Sequence, residues 1–380
     1  MHITSKLPNL GTTIFTVMSN LANEHQAINL SQGFPNFDCD PILKDKVAYY
    51  VNAGYNQYCP MTGLPALVET LSEKINYLNG VDIDPSKEMN ITSGATQAIF
   101  SAIHAFVHPG DEVIIIEPAY DCYKPSIELA GGKAICYEIK SPDWQVNWDE
   151  FGSLITDKTR MIMINTPHNP TGSTFSHDDF LALQQLVSGT DILILSDEVY
   201  EHMVFDGKQH HTILSYPALR KRSMAVYSFG KTLHATGWKL GYIVSSEAIM
   251  REFRKVHQFD VFTSNTPMQY AIADYLKDRT TYENLSSFFQ HKRDLFCDLL
   301  GSSSFQLKPS AGTYFQVADF SAISTESDTE FAKRMTIEYG VAVIPISVFY
   351  SSGLDNKIVR FCFAKTDDML KDAAEKIRSL

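Results

Sequence analysis

The residues of this 380-residue sequence that can do chemistry gather behind short apolar runs. Val113–Ile116 is followed by Glu117-Pro-Ala-Tyr120, and Met161–Ile164 by Asn165-Thr-Pro-His-Asn169-Pro-Thr-Gly172. Ile192–Leu195 leads into Ser196-Asp197-Glu198-Val199-Tyr200, and Ala225–Tyr227 into Ser228-Phe-Gly-Lys231. Ligands of an open α/β sheet sit beyond the carboxyl ends of its strands. Four segments therefore bring polar, aromatic and ionisable groups to one sheet edge. One such segment would be an ordinary solvated turn, whereas four together point to a site.

Each group has a bland reading and a chemical one. A lysine after a strand is commonly exposed. Lys231, flanked by Ser228, Gly230 and Thr232, can instead be a desolvated amine suited to Schiff-base chemistry. The run Ala225–Thr232 nearly matches a phosphate loop of the form G-x-x-x-x-G-K-T, but Ala225 stands where the first glycine must turn. Asp197 lies directly behind an apolar run, where an unpaired carboxylate is expensive. It either caps the next helix or pairs with a buried cation such as a protonated ring nitrogen. Tyr200, three residues on, can face the same pocket. Thr92-Ser-Gly94-Ala95-Thr96 precedes the helical stretch Gln97–Val107, and free N–H groups at such a start form an anion site. Lys239, near Gly237 and Gly241, can add positive charge to the same anion. Arg360 interrupts the apolar pattern of Lys357–Phe363; facing inward, it would hold a carboxylate bidentately.

The elements that must position these groups alternate in type. Val113–Glu117, Met161–Asn165, Ile192–Ser196, Ala225–Ser228 and Tyr242–Ser245 are too short for helices and apolar on both faces. Between them lie amphipathic stretches. Leu64, Leu67, Val68, Leu71, Ile75 and Leu78 share one helical face that Gly80 ends. Ser176 and Asp179 form a capping-box pattern ahead of Phe180–Val187. This alternation predicts an α/β core with a mostly parallel central sheet sandwiched by helices. Beyond residue 250 the pattern changes. One long helix is expected from Glu247 to about Leu276, then strands at Thr313–Val317, Val341–Ile344 and Ile358–Phe363, and a last helix opened by Thr366-Asp-Asp. The expected division is a large domain over 41–275 and a smaller α+β domain from 1–40 and 276–380.

Composition removes several function classes. The net charge is −12 with no basic block, which disfavours nucleic-acid and membrane-surface binding. No apolar run approaches the length of a membrane span. The N-terminus lacks the basic, apolar and small-residue pattern of a signal peptide. Six cysteines without CxxC or framework spacing fit a reducing, cytoplasmic setting, and no Cys/His cluster suggests a metal.

Asn169-Pro-Thr-Gly172, Asp197-x-x-Tyr200 and Ser228-x-x-Lys231 followed by Gly237-Trp-Lys239-x-Gly241 together resemble, in order and spacing, a known pattern. It is that of pyridoxal-phosphate-dependent class I/II aminotransferases of the aspartate aminotransferase fold, fold type I. The likeness runs from Leu30 to Arg360. The stretches Leu30–Phe37, Tyr58–Pro65, Glu117–Tyr123 and Lys255–Gln258 are further similar to bacterial methionine aminotransferases and kynurenine–oxoglutarate transaminases.

The resemblance implies roles. Lys231 would carry pyridoxal 5′-phosphate covalently, and Asp197 would keep its ring nitrogen protonated. Tyr200 and Asn169 would hydrogen-bond its phenolic oxygen, and the Tyr120 ring would stack on it. Gly94, Ala95, Thr96, Ser228 and Lys239 would hold the phosphate, joined by Tyr58 from a neighbouring subunit. Lys239 replaces an arginine found in many relatives, keeping the charge but losing the bidentate fork. Arg360, with Asn169 and the backbone of Gly33, would clamp the substrate carboxylate. A homodimer with shared active sites is implied, with segments near Phe262–Thr266 also reaching the partner's pocket. The partners are then an amino acid and a 2-oxo acid. The expected donor is neutral and apolar or aromatic (methionine, phenylalanine, tyrosine, kynurenine), because Phe15, Phe34, Tyr55 and Tyr120 fall in segments expected near the pocket and no second arginine is identifiable. The alternative is a β-lyase acting on cysteine conjugates or cystathionine, which uses the same lysine.

Overall fold

A strand whose every residue is apolar needs cover on both faces. The computed structural model, which describes residues 3–378 and 380, supplies that cover. In chain order the strands are β1 (Ile28–Asn29), β2 (Met89–Thr92), β3 (Glu112–Glu117), β4 (Lys133–Glu138), β5 (Thr159–Asn165) and β6 (Leu193–Asp197). They continue with β7 (Ser223–Ser228), β8 (Gly241–Ser245), β9 (Phe315–Asp319), β10 (Val341–Ala342), β11 (Ile344–Pro345) and β12 (Ile358–Cys362). Seven of them form the main sheet in the order β2-β8-β7-β6-β5-β3-β4. Its pairs are parallel except those made by β8, which runs antiparallel to β2 and β7.

Side chains alternate between the two covers. Val113, Ile115, Met161, Met163, Leu195 and Val226 pack in one buried cluster with Ile99, Ile103 and Phe253 of helices Ala95–Phe106 and Glu247–Asp260. Their neighbours Ile114, Ile116, Ile162, Ile164, Ile194 and Ala225 join the other cluster. The strand order reverses between β3 and β5, because the chain leaves β4 at one edge and returns to β5. That switch point opens a crevice at the carboxyl ends.

Outside the main sheet, β11-β12-β9 form an antiparallel sheet. Residues from near the start of the chain join this region, since β1 pairs with β10 at Ile28↔Val341. This places Ser31, just after β1, against Arg360 of β12, whose Nη2 donates to the Ser31 carbonyl at 3.0 Å.

Several expectations shift, each for a local reason. The single helix expected from Glu247 to Leu276 is two, Glu247–Asp260 and Thr266–Tyr275. Between them Phe262 takes a positive φ of 65°. Asn265 then caps the second helix by accepting from the Met268 N–H, and Pro267 sits in its first turn. The strand expected at Thr313 starts at Phe315, because Thr313 has φ 66° and its hydroxyl accepts from the Phe315 N–H. Val341–Ile344 splits into β10 and β11, which pair with different partners. Helices Ile14–Glu24 and Pro41–Asn52 and the edge strand β4 are additions that the apolar pattern did not reveal.

Helix Pro65–Asn79 forms as expected, and Gly80 ends it in the left-handed region. Leu78 is exposed, however, and the buried face takes in Lys74 instead. The Lys74 ammonium lies 2.6 Å from Glu201, with both side chains nearly enclosed. Burial opposes ionisation of Glu201, but Lys74 and His202 outweigh it and hold the carboxyl well below its ordinary range. This pair ties the helix to the segment that carries Tyr200. Lys74→Met would leave Glu201 buried without its cation, and the expected loss is about 3–5 kcal/mol, read as a fall in the urea midpoint. The more conservative Lys74→Arg should lose clearly less.

Candidate active site

Adjacent parallel strands end side by side here: Asn165 of β5 is in register with Asp197 of β6. The Asn165 amide donates to the Asp197 carbonyl at 2.8 Å, and its oxygen accepts from the Asn169 N–H at 2.8 Å. The turn carrying Asn169 is thereby fixed to the strand that carries Asp197. A cavity of about 330 Å³ opens at this point. Lys231, Asp197, Tyr200, Asn169, Ser228 and Lys239 line it, and Gly94, Ala95, Thr96, Tyr120, Gly33 and Arg360 complete the wall. The structure thus brings together twelve of the thirteen residues singled out from the sequence. Tyr58 lies elsewhere, 82% exposed, with its ring edge-on to Phe262 at 5.3 Å. Tyr55, expected near the pocket, packs instead against Tyr50 and Tyr270.

Asp197 is buried, and burial is the main reason its carboxyl is pushed up to about 6. Two donors work against that shift. The Tyr123 hydroxyl reaches Oδ2 at 2.6 Å, and the Val199 N–H reaches Oδ1 at 3.3 Å. A carboxylate so held, without an adjacent cation, fits a protonated ring nitrogen.

Lys231 is the complementary case. Burial lowers its amine to about 8, and the neighbouring Arg360 and Lys239 charges push the same way. Its Nζ donates to the Tyr314 hydroxyl at 2.8 Å and to the Gly33 carbonyl at 3.2 Å. An amine in this state can attack a carbonyl carbon near neutral pH.

An anion cradle lies at the start of helix Ala95–Phe106, whose N-cap Gly94 has φ 84° and offers no side-chain cap. The first N–H groups of this helix are therefore free. A Cβ on Gly94 would sit 3.6 Å from the Lys239 Nζ, so the ammonium lies over the helix start. Lys239 itself takes φ 53°, a strained conformation for a side-chain-bearing residue. Gly241 lets β8 approach this helix: a Cβ there would meet the Tyr227 carbonyl at 2.5 Å and the Ala95 nitrogen at 3.0 Å.

Arg360 is 1% exposed, yet its hydrogen bonds go to neutral oxygens. Nη1 donates to the Asn169 Oδ1 at 2.8 Å and Nη2 to the Ser31 carbonyl at 3.0 Å, while Nε has no partner. The Phe315 ring lies 3.9 Å from the guanidinium carbon. A buried guanidinium with an unused N–H and no ion pair among the described residues can take a carboxylate. Amine, carboxylate, anion cradle and guanidinium together fit pyridoxal phosphate carrying an amino acid.

Sequence reasoning missed Tyr123, Tyr314, Asn165 and Phe315 as site residues. Tyr123 follows Asp121-Cys122 in the turn after β3, and its signals were that place behind an apolar run and the family likeness of Glu117–Tyr123, neither of which assigned it a role. Tyr314 and Phe315 lie far along the chain and gave no local signal. They reach the site only because β9 pairs with β12.

A model of the aminotransferase class I and II family matches residues 25–377. The chain is 47% identical to the methionine aminotransferase of Escherichia coli K12, over 99% of this chain and 98% of that one. It is 34% identical to human kynurenine–oxoglutarate transaminase 1, over 94% and 93% of the two chains. Among solved structures, it superposes on Escherichia coli YbdL, described as having a methionine aminotransferase function, with a TM-score of 0.98, 47% identity and full coverage of both chains.

Asp197 has a folded-state pKa above its unfolded value, so ionising it opposes folding of the cofactor-free protein. That cost is complete above about pH 6 and vanishes as pH falls towards 3.8. Cofactor-free Asp197→Asn should therefore be more stable than the parent at pH 8 by on the order of 2–3 kcal/mol. The advantage should shrink as pH drops through 6 to 4, measured by urea unfolding across that range.

Proposed function

Because this chain belongs to the class I and II aminotransferases, pyridoxal-phosphate enzymes of fold type I, we propose that it moves the amino group of a neutral apolar or aromatic L-amino acid to a 2-oxo acid by ping-pong turnover. Methionine, phenylalanine, tyrosine and kynurenine are the candidate donors. The observation that carries this reading is the make-up of the pocket wall. Among the described residues Arg360 is its only arginine and Lys231 and Lys239 are the other cations, while the Phe15 and Phe315 rings face the guanidinium at 5.5 and 3.9 Å. One carboxylate can be paired there, and a second on the substrate side chain would find aromatic carbon. The names of the two relatives point the same way.

Bound pyridoxal phosphate supplies an electron sink for the bond broken at the substrate α-carbon. The protein residues do the rest. Gly94, Ala95 and Thr96 present the helix start to the phosphate, with Ser228 and Lys239 beside it. Asp197, held by Tyr123, keeps a proton on the ring nitrogen. Tyr200 and Asn169 would hold the phenolic oxygen, and Tyr120 would lie against the ring. Arg360, with Asn169 and the backbone at Gly33, fixes the substrate carboxylate. Lys231 is the attachment point, and its amine, when free, takes the α-proton and returns it. An amine lowered to about 8 keeps a useful unprotonated fraction near neutral pH. Phe15 and Phe34 line the substrate side with aromatic carbon.

The enzyme acts in this reading as a cytoplasmic homodimer, with a large unit over 41–275 and a small one from 1–40 and 276–380. Six free cysteines and the exposed rings of Tyr58, Phe259 and Phe262 support it. Tyr58 then serves the neighbour's phosphate site. β-Elimination finds no support among the relatives.

L-Methionine added to the yellow holoenzyme without an oxo acid should convert its absorbance to that of the aminated cofactor, and Lys231→Ala should abolish the change. Arg360→Gln should lower kcat/KM for the donor by about a hundredfold while leaving cofactor uptake intact. Aspartate as the best donor would overturn the substrate class. Pyruvate released from cysteine conjugates in place of any amino transfer would overturn the reaction.

A further inference from the structure

Tyr314 is fully buried and belongs to no motif that identified the site. It precedes β9, and its ring packs edge-on against Tyr200 at 5.2 Å and near Phe289 at 5.7 Å, so its position is set by neighbours on separate elements. Its hydroxyl donates to the Gly33 carbonyl at 2.5 Å. The only proton on that hydroxyl is thus committed, and the oxygen is left as an acceptor facing Lys231. The Lys231 Nζ lies 2.8 Å from it, and 3.2 Å from the same Gly33 carbonyl. The amine, the hydroxyl and the carbonyl, from distant parts of the chain, close a triangle.

We propose that Tyr314 is a positioning residue for Lys231: its hydroxyl, locked onto the Gly33 carbonyl, is the rest on which the ε-amine sits whenever it is not bonded. The inference builds on the proposed function, which requires that amine to come free and then move a proton. A lysine side chain has four flexible bonds and would otherwise wander within the cavity. Held on Tyr314, it stays beside Gly33, where the substrate carboxylate is expected, and needs no search before it reaches the α-carbon. Tyr200, also directed at this region, has its ring centre 5.6 Å from the Nζ and makes no hydrogen bond to it, so it does not duplicate the rest. The charged and titratable groups around the amine are Arg360 on β12, Asp197 on β6, Lys239 and the Cys362 thiol. All of them remain in a Tyr314→Phe variant.

Tyr314→Phe keeps the ring and removes the acceptor. Two readouts test the proposal. The first is the pH profile of covalent cofactor attachment to cofactor-free enzyme, which needs no amino donor. A hydrogen bond to the ammonium form favours that form, so its loss should move the midpoint to lower pH by roughly half a unit. The second is the single-turnover rate with L-methionine. It should fall by about tenfold to a hundredfold, with a larger isotope effect from α-deuterated donor and little change in apparent donor affinity. Enzyme carrying 3-fluorotyrosine at position 314, equal in shape but a weaker acceptor, should shift both readouts in the same direction by less; it also serves if the Tyr314→Phe protein does not fold. An unchanged midpoint, rate and isotope effect would overturn the proposal. A holoenzyme that takes up cofactor but responds to no amino donor would instead overturn the proposed function, and the attachment profile would still report on Tyr314.

Discussion

The arrangement depends on one unfavourable fact, a carboxylate ionised in a dry place. Asp197 sits at the end of a strand covered on both faces, with no cation in contact. Its buried position raises the carboxyl to about 6, and Lys231 nearby is lowered to about 8. At neutral pH both are still mainly charged, so the protein without cofactor bears both desolvation costs. Their mutual attraction offsets only part of this, because burial is the leading cause of each shift. A ligand that places a cation against Asp197 and bonds to Lys231 relieves both costs at once. Cofactor affinity and the instability of the empty site are then one free energy viewed from two sides.

The second constraint is geometric, and it centres on the segment after β1. Four consecutive carbonyls there are held by cationic or hydroxyl donors. Ser31 accepts from Arg360, Gly33 from Lys231 and Tyr314, and Gln32 and Phe34 from Lys365 at 3.4 and 2.8 Å. Lys365 is itself buried. The turn is therefore shaped by charges that also serve the site, and the glycine at its centre is required. A Cβ on Gly33 would lie 2.9 Å from the Phe315 ring that stacks on Arg360. The Arg360 guanidinium, the Lys231 amine and the Phe315 ring therefore cannot be adjusted separately.

What was legible in the sequence follows from these constraints. The groups at the ends of β5, β6 and β7 could be read because chemistry there is adjacent in the chain to the apolar run that places it. Lys239 and the helix start at Gly94 were legible through glycine spacing. Arg360 stood out as a charge in an apolar strand. The misplaced elements share a different cause. The break at Val261–Asn265 depends on a side-chain cap, and the division of Val341–Ile344 depends on which partner each half finds. Apolar periodicity reports neither. Lys74 illustrates the same limit, since a lysine on an apolar face reads as an error in the pattern until Glu201 arrives from more than a hundred residues away.

Tyr123 and Tyr314 show why the residues nearest the identifying motifs do not make a complete site. Each touches a chemical group through its hydroxyl, Tyr123 at Asp197 and Tyr314 at Lys231. Each is wholly enclosed, so its hydroxyl must find a partner inside the protein. In composition both are ordinary buried aromatics, and only the fold shows that one acts on the carboxylate and the other on the amine. The two act on opposite charges in complementary ways. Tyr123 donates to the carboxylate and opposes its protonation, whereas Tyr314 accepts from the ammonium and opposes its deprotonation. Both favour the charged form of their partner against the burial that disfavours it. A pocket built only from the motif residues would be dry but poorly poised. Tyr123 thereby holds the Asp197 carboxyl below where burial alone would put it, and the Tyr314 hydroxyl gives the Lys231 amine a fixed partner.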